Sequence, residues 1–235
     1  MPPSKDKLEK KRGGEPIRIA QSRLLRKLLE TKEGVETEHE IERRYLPAKE
    51  LTEEELLELS GGIFDDIEQV YVAALDRDGD SEDVRLRRTE DVSEEVMLHV
   101  VWKEKVKGKT GKIEHPLEFS EDDPDAKEFK TLWKRHWGTA LNKRRFYIDH
   151  TLPNGNVCHI HYDVGKGVAF EGKVRIEIEF DTPEDEKYVA DRTKGGIVRK
   201  GILPDWIGND VTDDKRYNSK WLAEHGRWPD EEKKK

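Results

Sequence analysis

Period-two alternation of apolar and charged positions runs through most of this chain from residue 38 onward and predicts a succession of strands. The opening stretch is Glu38-His39-Glu40-Ile41-Glu42-Arg43-Arg44-Tyr45-Leu46. As a strand it puts Glu38, Glu40, Glu42 and Arg44 on one face and Ile41 and Tyr45 on the other. Further strands are predicted at 67–75, 84–89, 96–107, 113–119, 141–150, 157–164 and 174–180, with Pro116 weakening the one it interrupts. Turn chemistry separates several of them: Arg77-Asp78-Gly79-Asp80, the segment 108–111, and Pro153-Asn154-Gly155-Asn156.

Helical spacing occurs in fewer places. Leu24, Leu25, Leu28 and Leu29 predict a helix over 19–31 with Gly34 as its stop. It reads as a packing helix, since Glu30 and Glu33 dilute the basic face that a partner or membrane helix would need. Thr52 and Glu55 form a capping box ahead of Leu56, Leu57 and Leu59, and Gly61-Gly62 closes that helix. A third helix is predicted over 122–138, with Phe129, Leu132, Trp133 and Trp137 on one side. A fourth opens at Thr182-Pro183-Glu184. The tail from 202 to 226 mixes Trp206, Tyr217 and Trp221 with Pro and Asp and ends in a short helix. Without strict strand–helix–strand alternation, the expected class is α+β, mainly β: one antiparallel sheet or barrel with attached helices. Residues 1–16 and 229–235 are charged and polar and are expected to be disordered or frayed.

Composition sharpens this picture. Only 33% of the 235 residues are hydrophobic while 41% are charged, so either much of the chain is exposed or the interior is polar. The net charge of −8, with acids and bases mixed along the chain, argues against nucleic-acid binding by bulk charge. The single Cys158 forms no intrachain disulfide and suits a reducing compartment. No apolar run long enough for a membrane span and no apolar leader is present, so a cytoplasmic location is expected.

The charged faces differ from strand to strand. Glu40 and Glu42 line the first, and Glu177 and Glu179 the last, beside Arg175. Arg85 and Arg87 share a face, as do Lys103, Lys105 and Lys107, and Lys143 and Arg145 on a less regular strand. His159, His161 and Asp163 share another. A solvated face ordinarily mixes signs, so this segregation predicts an inward-facing cavity with one acidic wall and several basic ones. Carboxylates suit a hard divalent cation; arginine and lysine suit a chain of phosphates.

These motifs together resemble the CYTH superfamily, the triphosphate tunnel metalloenzymes. Glu40-Ile41-Glu42-Arg43-Arg44 is similar to the family's opening Glu-x-Glu-x-Lys, with Arg44 in the lysine position. Arg85-Leu86-Arg87, Trp102-Lys103-Glu104-Lys105, Lys143-Arg144-Arg145-Phe146, Asp163 and Glu177-Ile178-Glu179 resemble its later strands in order. The tail Leu203-Pro204-Asp205-Trp206-Ile207-Gly208, followed by Val211-Thr212, Arg216-Tyr217-Asn218 and Leu222-Ala223, resembles its C-terminal element.

The resemblance implies an eight-stranded antiparallel β-barrel tunnel over 36–228, with helices packed outside and a C-terminal helical element, after an N-terminal extension over 1–35. It implies a metal-dependent triphosphatase acting on inorganic triphosphate or an organic or nucleoside triphosphate. Glu40, Glu42, Asp163, Glu177 and Glu179 would hold Mg²⁺ or Mn²⁺. Arg44, Arg85, Arg87, Lys103, Lys105, Lys143 and Arg145 would hold the triphosphate, with Glu40, Glu42 and Arg44 at the chemistry. The expected partner is a triphosphate-containing small molecule or an RNA 5′-triphosphate end, with no membrane, and the reading leaves room for a homodimer. Two alternatives stay open: an adenylate cyclase of the same superfamily, which needs a base-and-sugar pocket no motif specifies, and a non-catalytic triphosphate-binding module, favoured by Arg44. Outside this set, His159-x-His161-x-Asp163 could ligate a transition metal but reads better as lining. Cys158 and Trp133, Trp137, Trp206 and Trp221 read as packing residues.

Overall fold

A computed structural model describes residues 16–34, 38–75, 81–105 and 112–229, with side chains at 16–30, 41–74, 83–102 and 114–229. The predicted turns at 77–80 and 108–111 lie outside the described residues, as do nearly all of 1–16 and 229–235. The elements in chain order are β1 (Ile17–Arg18), α1 (Arg23–Gly34), β2 (Glu38–Glu40), β3 (Glu42–Pro47), α2 (Glu53–Leu59), β4 (Phe64–Leu75), β5 (Ser81–Asp91) and β6 (Val96–Lys105). There follow β7 (Lys112–Ser120), α3 (Ala126–Trp133), β8 (Trp137–Thr151), β9 (Val157–Gly165), β10 (Val174–Phe180) and α4 (Pro183–Ala190). The chain ends in β11 (Thr193–Lys194), β12 (Ile197–Val198), β13 (Ile207–Asp210) and α5 (Ser219–His225).

The expected eight-stranded closed barrel does not form. The described strands make one 13-stranded sheet whose hydrogen-bonded path runs β11-β12-β13-β3-β10-β9-β8-β4-β5-β6-β7-β2, with β1 parallel to β4 off the path. Every ladder on the path is antiparallel, and its two ends, β11 and β2, are not paired to each other. Two local features overturn the closure. The opening strand breaks at Ile41, so that β2 pairs with β7 while β3 pairs with β10. The remaining edge of β3 is then taken by β13, through Tyr45 and Pro47. Arg43 locks that arrangement from outside, binding Asp210 of β13 and Glu186 of α4. Since Ile41 alone joins an end of the path to β3, the open sheet is strongly curled, with a concave face of ionic side chains.

Apolar side chains of the same strands occupy the convex face. Val70, Val72, Val84, Leu86, Leu98, Val100 and Trp102 pack under Leu24, Leu25 and Leu28 of α1 and Phe129 and Leu132 of α3. Tyr45, Phe146, Ile148, Ile160, Tyr162, Ile176 and Ile178 pack with Leu56 of α2 and Val189 of α4. The 33% hydrophobic content suffices because the strands bury only one face under apolar cover. Thr52 and Glu55 make the capping box, with Glu55 N–H donating to Thr52 Oγ1 at 3.2 Å and Thr52 N–H to Glu55 Oε2 at 2.8 Å.

Two other expectations shift. The third helix spans only Ala126–Trp133, and Trp137 opens β8 instead of extending it. The strand can start there because Gly138 takes φ 71°, and a Cβ on it would stand 2.4 Å from the Ala223 carbonyl oxygen of α5. Pro116 is tolerated because β2 pairs with β7 only from Lys112 to Glu114, leaving that edge unpaired beyond it.

Candidate functional site

Strand register sets the concave face row by row, because directly paired residues point the same way. Glu42, Glu179, His159 and Asp149 form one row across β3, β10, β9 and β8. Arg44, Glu177, His161 and Tyr147 form the next. Arg175, Asp163, Arg145 and Asp65 follow, continuing into β4. Across β4, β5, β6 and β7, Gln69, Arg87, His99 and Glu118 make a further row, beside Tyr71 and Arg85. By register Lys103 stands opposite Glu114 and Lys105 opposite Lys112, which in turn pairs with Glu40. The side chains of Glu40, Lys103 and Lys105 lie outside the described residues.

The half built on β8, β9 and β10 is a closed ion cluster. Asp163, fully buried, accepts from Lys143 Nζ at 2.6 Å, Arg145 Nε at 2.7 Å and Arg175 Nη2 at 3.1 Å. Glu177 is bound by Arg145 and lies 3.1 Å from Arg175 Nη2 and 3.9 Å from Arg44 Nε. These cations hold the Asp163 and Glu177 carboxyls well below the usual carboxylate range despite burial. Burial and the neighbouring Arg145 guanidinium push the Lys143 ammonium down to about 7, against the pull of Asp163 and Glu177. Arg175 also donates to the Tyr217 carbonyl at 3.0 Å and to Ser219 Oγ at 3.1 Å, fastening the C-terminal segment to the cluster. That segment caps one end of the concave face, where Tyr71, Trp137, Phe170, Tyr217, Leu222 and Trp228 pack together.

The half on β5 and β6 is left open. Arg85 lies 3.3 Å from Glu114. Arg87 makes no hydrogen bond or ion pair among the described residues, and its Nε is buried without a partner. Burial, Arg85 and Arg145 push its guanidinium down to about 10, against the pull of Glu114, so it stays charged at neutral pH without an ion-pair partner among the described residues. A buried cation beside other cations, with no ion-pair partner among the described residues, is an arrangement that an anionic ligand completes.

Of the predicted metal carboxylates whose side chains are described, Glu179 is the most exposed, and Glu42 stands beside it on the neighbouring strand, bound by Arg44. They are paired residues on neighbouring strands, so their carboxylates stand side by side, and Glu179 is about a third exposed. Arg44 binds Glu42, and His161 Nδ1 lies 3.2 Å from Glu179 and 3.1 Å from Arg145 Nη1, its partner depending on the tautomer. Asp163 and Glu177 do not fit a divalent cation, because guanidinium and ammonium groups already engage their oxygens. Among the described residues no group of three or more His, Cys, Asp or Glu is placed to hold a metal ion. His159, His161 and Asp163 accordingly do not act as one site: His159 bonds Asp149 at 2.7 Å, and Asp163 is inside the cluster.

The concave face thus gathers Glu42, Arg44, Arg85, Arg87, Lys143, Arg145, Asp163, Glu177 and Glu179, but divides them into tied and open groups. The predicted site residues did not include Arg175, although it was placed on the face of Glu177 and Glu179, nor His99 and Glu118. Arg175 was legible as the first charge of Arg175-x-Glu177-x-Glu179, and His99 as the period-two continuation of Lys103 and Lys105 toward the start of β6. A separate cleft of about 350 Å³ lies beyond this face, lined by Pro47, Ile197, Val198, Leu203, Pro204 and Ile207 among others, and none of the predicted site residues lines it.

No family model matches the chain, and no curated protein matches it. Among solved structures it is similar to one described as "Structure of PH1819 protein from Pyrococcus Horikoshii OT3", at 18% identity, over 65% of this chain and 84% of that one, with a TM-score of 0.39. A likeness at that level carries no argument. Among the described residues no helix is long and apolar enough to cross a membrane.

Proposed function

We propose that this protein hydrolyses a triphosphate-containing substrate with the help of Mg²⁺ or Mn²⁺, releasing orthophosphate. The single observation that carries the reading is Arg87, enclosed on the concave face beside Arg85 and lacking a counter-ion among the described residues. A polyphosphate supplies the missing negative charge and enough oxygens to engage Arg85, Arg87 and Lys143 together. The resemblance of the strand motifs to the CYTH superfamily points the same way and stands with this proposal.

Phosphoryl transfer requires positioning and charge neutralisation more than covalent help. Arg85 and Arg87 bind the phosphate oxygens and stabilise the charge that spreads over the equatorial oxygens as the terminal phosphoryl group transfers. Lys143, whose ammonium burial and Arg145 push down to about 7, would be held in its charged form by an approaching anion. Glu42 and Glu179 would hold the divalent cation, which supplies charge neutralisation on the phosphate chain when bound. Arg44 steadies Glu42 and serves as an electrostatic group; an arginine does not give up its proton readily enough to act as a base.

The test incubates the full chain with Mg²⁺ or Mn²⁺ and, in turn, tripolyphosphate, thiamine triphosphate, ATP and an RNA 5′-triphosphate, and identifies the products. Orthophosphate is the expected result. Pyrophosphate with a cyclic nucleotide would replace the reading by a cyclase, and tight binding without turnover by a binding module. Neither binding nor turnover with any of the four would overturn it.

A further inference from the structure

We propose that His99, oriented by Glu118, accepts the proton of the water that attacks the terminal phosphorus. This rests on the hydrolase reading above and adds to it a group that the triphosphate-holding residues do not supply. His99 projects from β6 between Arg87 of β5 and Glu118 of β7, its directly paired neighbours. Its Nδ1 lies 2.9 Å from Glu118 Oε1. An ionised carboxylate only accepts, so Nδ1 carries the proton and Nε2 carries the lone pair. That Nε2 is buried and has no hydrogen-bond partner among the described residues. A carboxylate–imidazole pair with an unmet acceptor, next to an arginine with an unmet donor, is a pair of groups suited to a water and the phosphate it attacks.

Among the described residues the charged groups facing His99 are Arg85 and Arg87 from β5 and Glu118 from β7. Burial, with Arg87 and Arg85, holds the imidazole below its ordinary value against the pull of Glu118, so the ring is neutral at pH 7 and can accept a proton. The other groups have different parts in this reading: Glu42 is assigned to the divalent cation, and Lys143 donates to Asp163. In the step, the water oxygen bonds to the terminal phosphorus as its proton passes to Nε2. The bond from that phosphorus to the bridging oxygen breaks, and its electron pair leaves on the diphosphate. The imidazolium then releases its proton to solvent. Glu118 is a positioning residue that fixes the tautomer.

Three measurements on the full chain test this. Nitrogen-15 NMR of the histidine rings at pH 7 should show His99 neutral with its proton on Nδ1; an imidazolium or an Nε2–H tautomer overturns the proposal without any assay. With Mg²⁺ and tripolyphosphate, His99→Asn should lower kcat about 10²–10³-fold, abolish the acidic limb of the pH profile of kcat/KM, and leave tripolyphosphate affinity by calorimetry within about threefold. Glu118→Gln should move that limb to lower pH, because it removes the carboxylate that favours protonation, an effect a purely structural role would not produce. A hydrolase whose kcat and pH profile survive both substitutions overturns the dyad and leaves the triphosphatase reading standing. A wild-type chain that turns over no triphosphate removes both.

Discussion

Two halves of one concave face handle the same chemistry in opposite ways. On β8, β9 and β10 each carboxylate is matched to cations: Asp163 to Lys143, Arg145 and Arg175, and Glu177 to Arg145 and Arg175. On β5 and β6, Arg87 and His99 each keep a buried nitrogen without a hydrogen-bond partner among the described residues, and Arg87, unlike Arg175 with its own unpartnered Nε, has no carboxylate in an ion pair there either. Buried ion pairs hold geometry more than they add net stability, but removing one partner leaves charge stranded in a poor dielectric. The matched half is thus the frame, and the unmatched half is where a ligand gains free energy by supplying what the protein withholds. A list of conspicuous charges cannot separate the two, because Asp163 and Glu42, or Arg145 and Arg87, look alike until their neighbours are known.

Substitutions on either side can break this distinction. Asp163→Asn should have the largest effect, destabilising the fold by about 3–5 kcal/mol, because three buried cations lose their common anion. Denaturant unfolding measures it, and a loss near zero would mean the cluster is not the frame. Arg87→Ala should lower tripolyphosphate affinity by about 1.5–3 kcal/mol, the range for a hydrogen bond to a charged group. The melting temperature should stay or rise, since the fold offers Arg87 no partner among the described residues. Calorimetry beside a thermal melt reads both, and a large stability loss would move Arg87 into the frame.

The pH dependence sharpens the contrast further. Asp163 and Glu177 are held below their ordinary carboxylate values, so the unfolded chain binds protons first. Their stabilisation is complete above the unfolded range near 4 and is lost as pH falls below it. An acid titration followed by far-ultraviolet circular dichroism should show that fall, flatter in Asp163→Asn. The smallest effect belongs to Lys143. Its ammonium is pushed down to about 7, and an anion bound nearby would hold more of the charge on it. Binding of tripolyphosphate at pH 8 should therefore take up part of a proton, read from calorimetry in buffers of different ionisation enthalpy. Uptake indistinguishable from zero would put Lys143 out of reach of the ligand.

Much of this face was legible because a strand's period is local. Two-residue alternation suffices to put Glu42 with Arg44, Arg85 with Arg87, and Glu177 with Glu179 on common faces. The pairing of one face with another is not local, so neither the tie between Arg145 and Asp163 nor the lack of an ion-pair partner for Arg87 among the described residues could be read. Sheet closure failed for a related reason. Strands as short as Thr193–Lys194 and Ile197–Val198 carry no periodicity, yet β13, which they flank, takes the edge of β3 that a barrel would have used. Trp137 was drawn into a helix because it sits four residues from Trp133, and only the left-handed backbone of Gly138 reveals the switch to a strand.

Arg175 reaches from the most deeply buried carboxylate of the molecule to the carbonyl of Tyr217 and the hydroxyl of Ser219. The segment carrying Tyr217 and Ser219 is therefore no appendix that an engineer may trim for convenience. A chain ending before Tyr217 would strip that guanidinium of two acceptors and uncover the rings of Trp137 and Tyr71. Damage done at the far terminus would surface as misaligned charges tens of residues away.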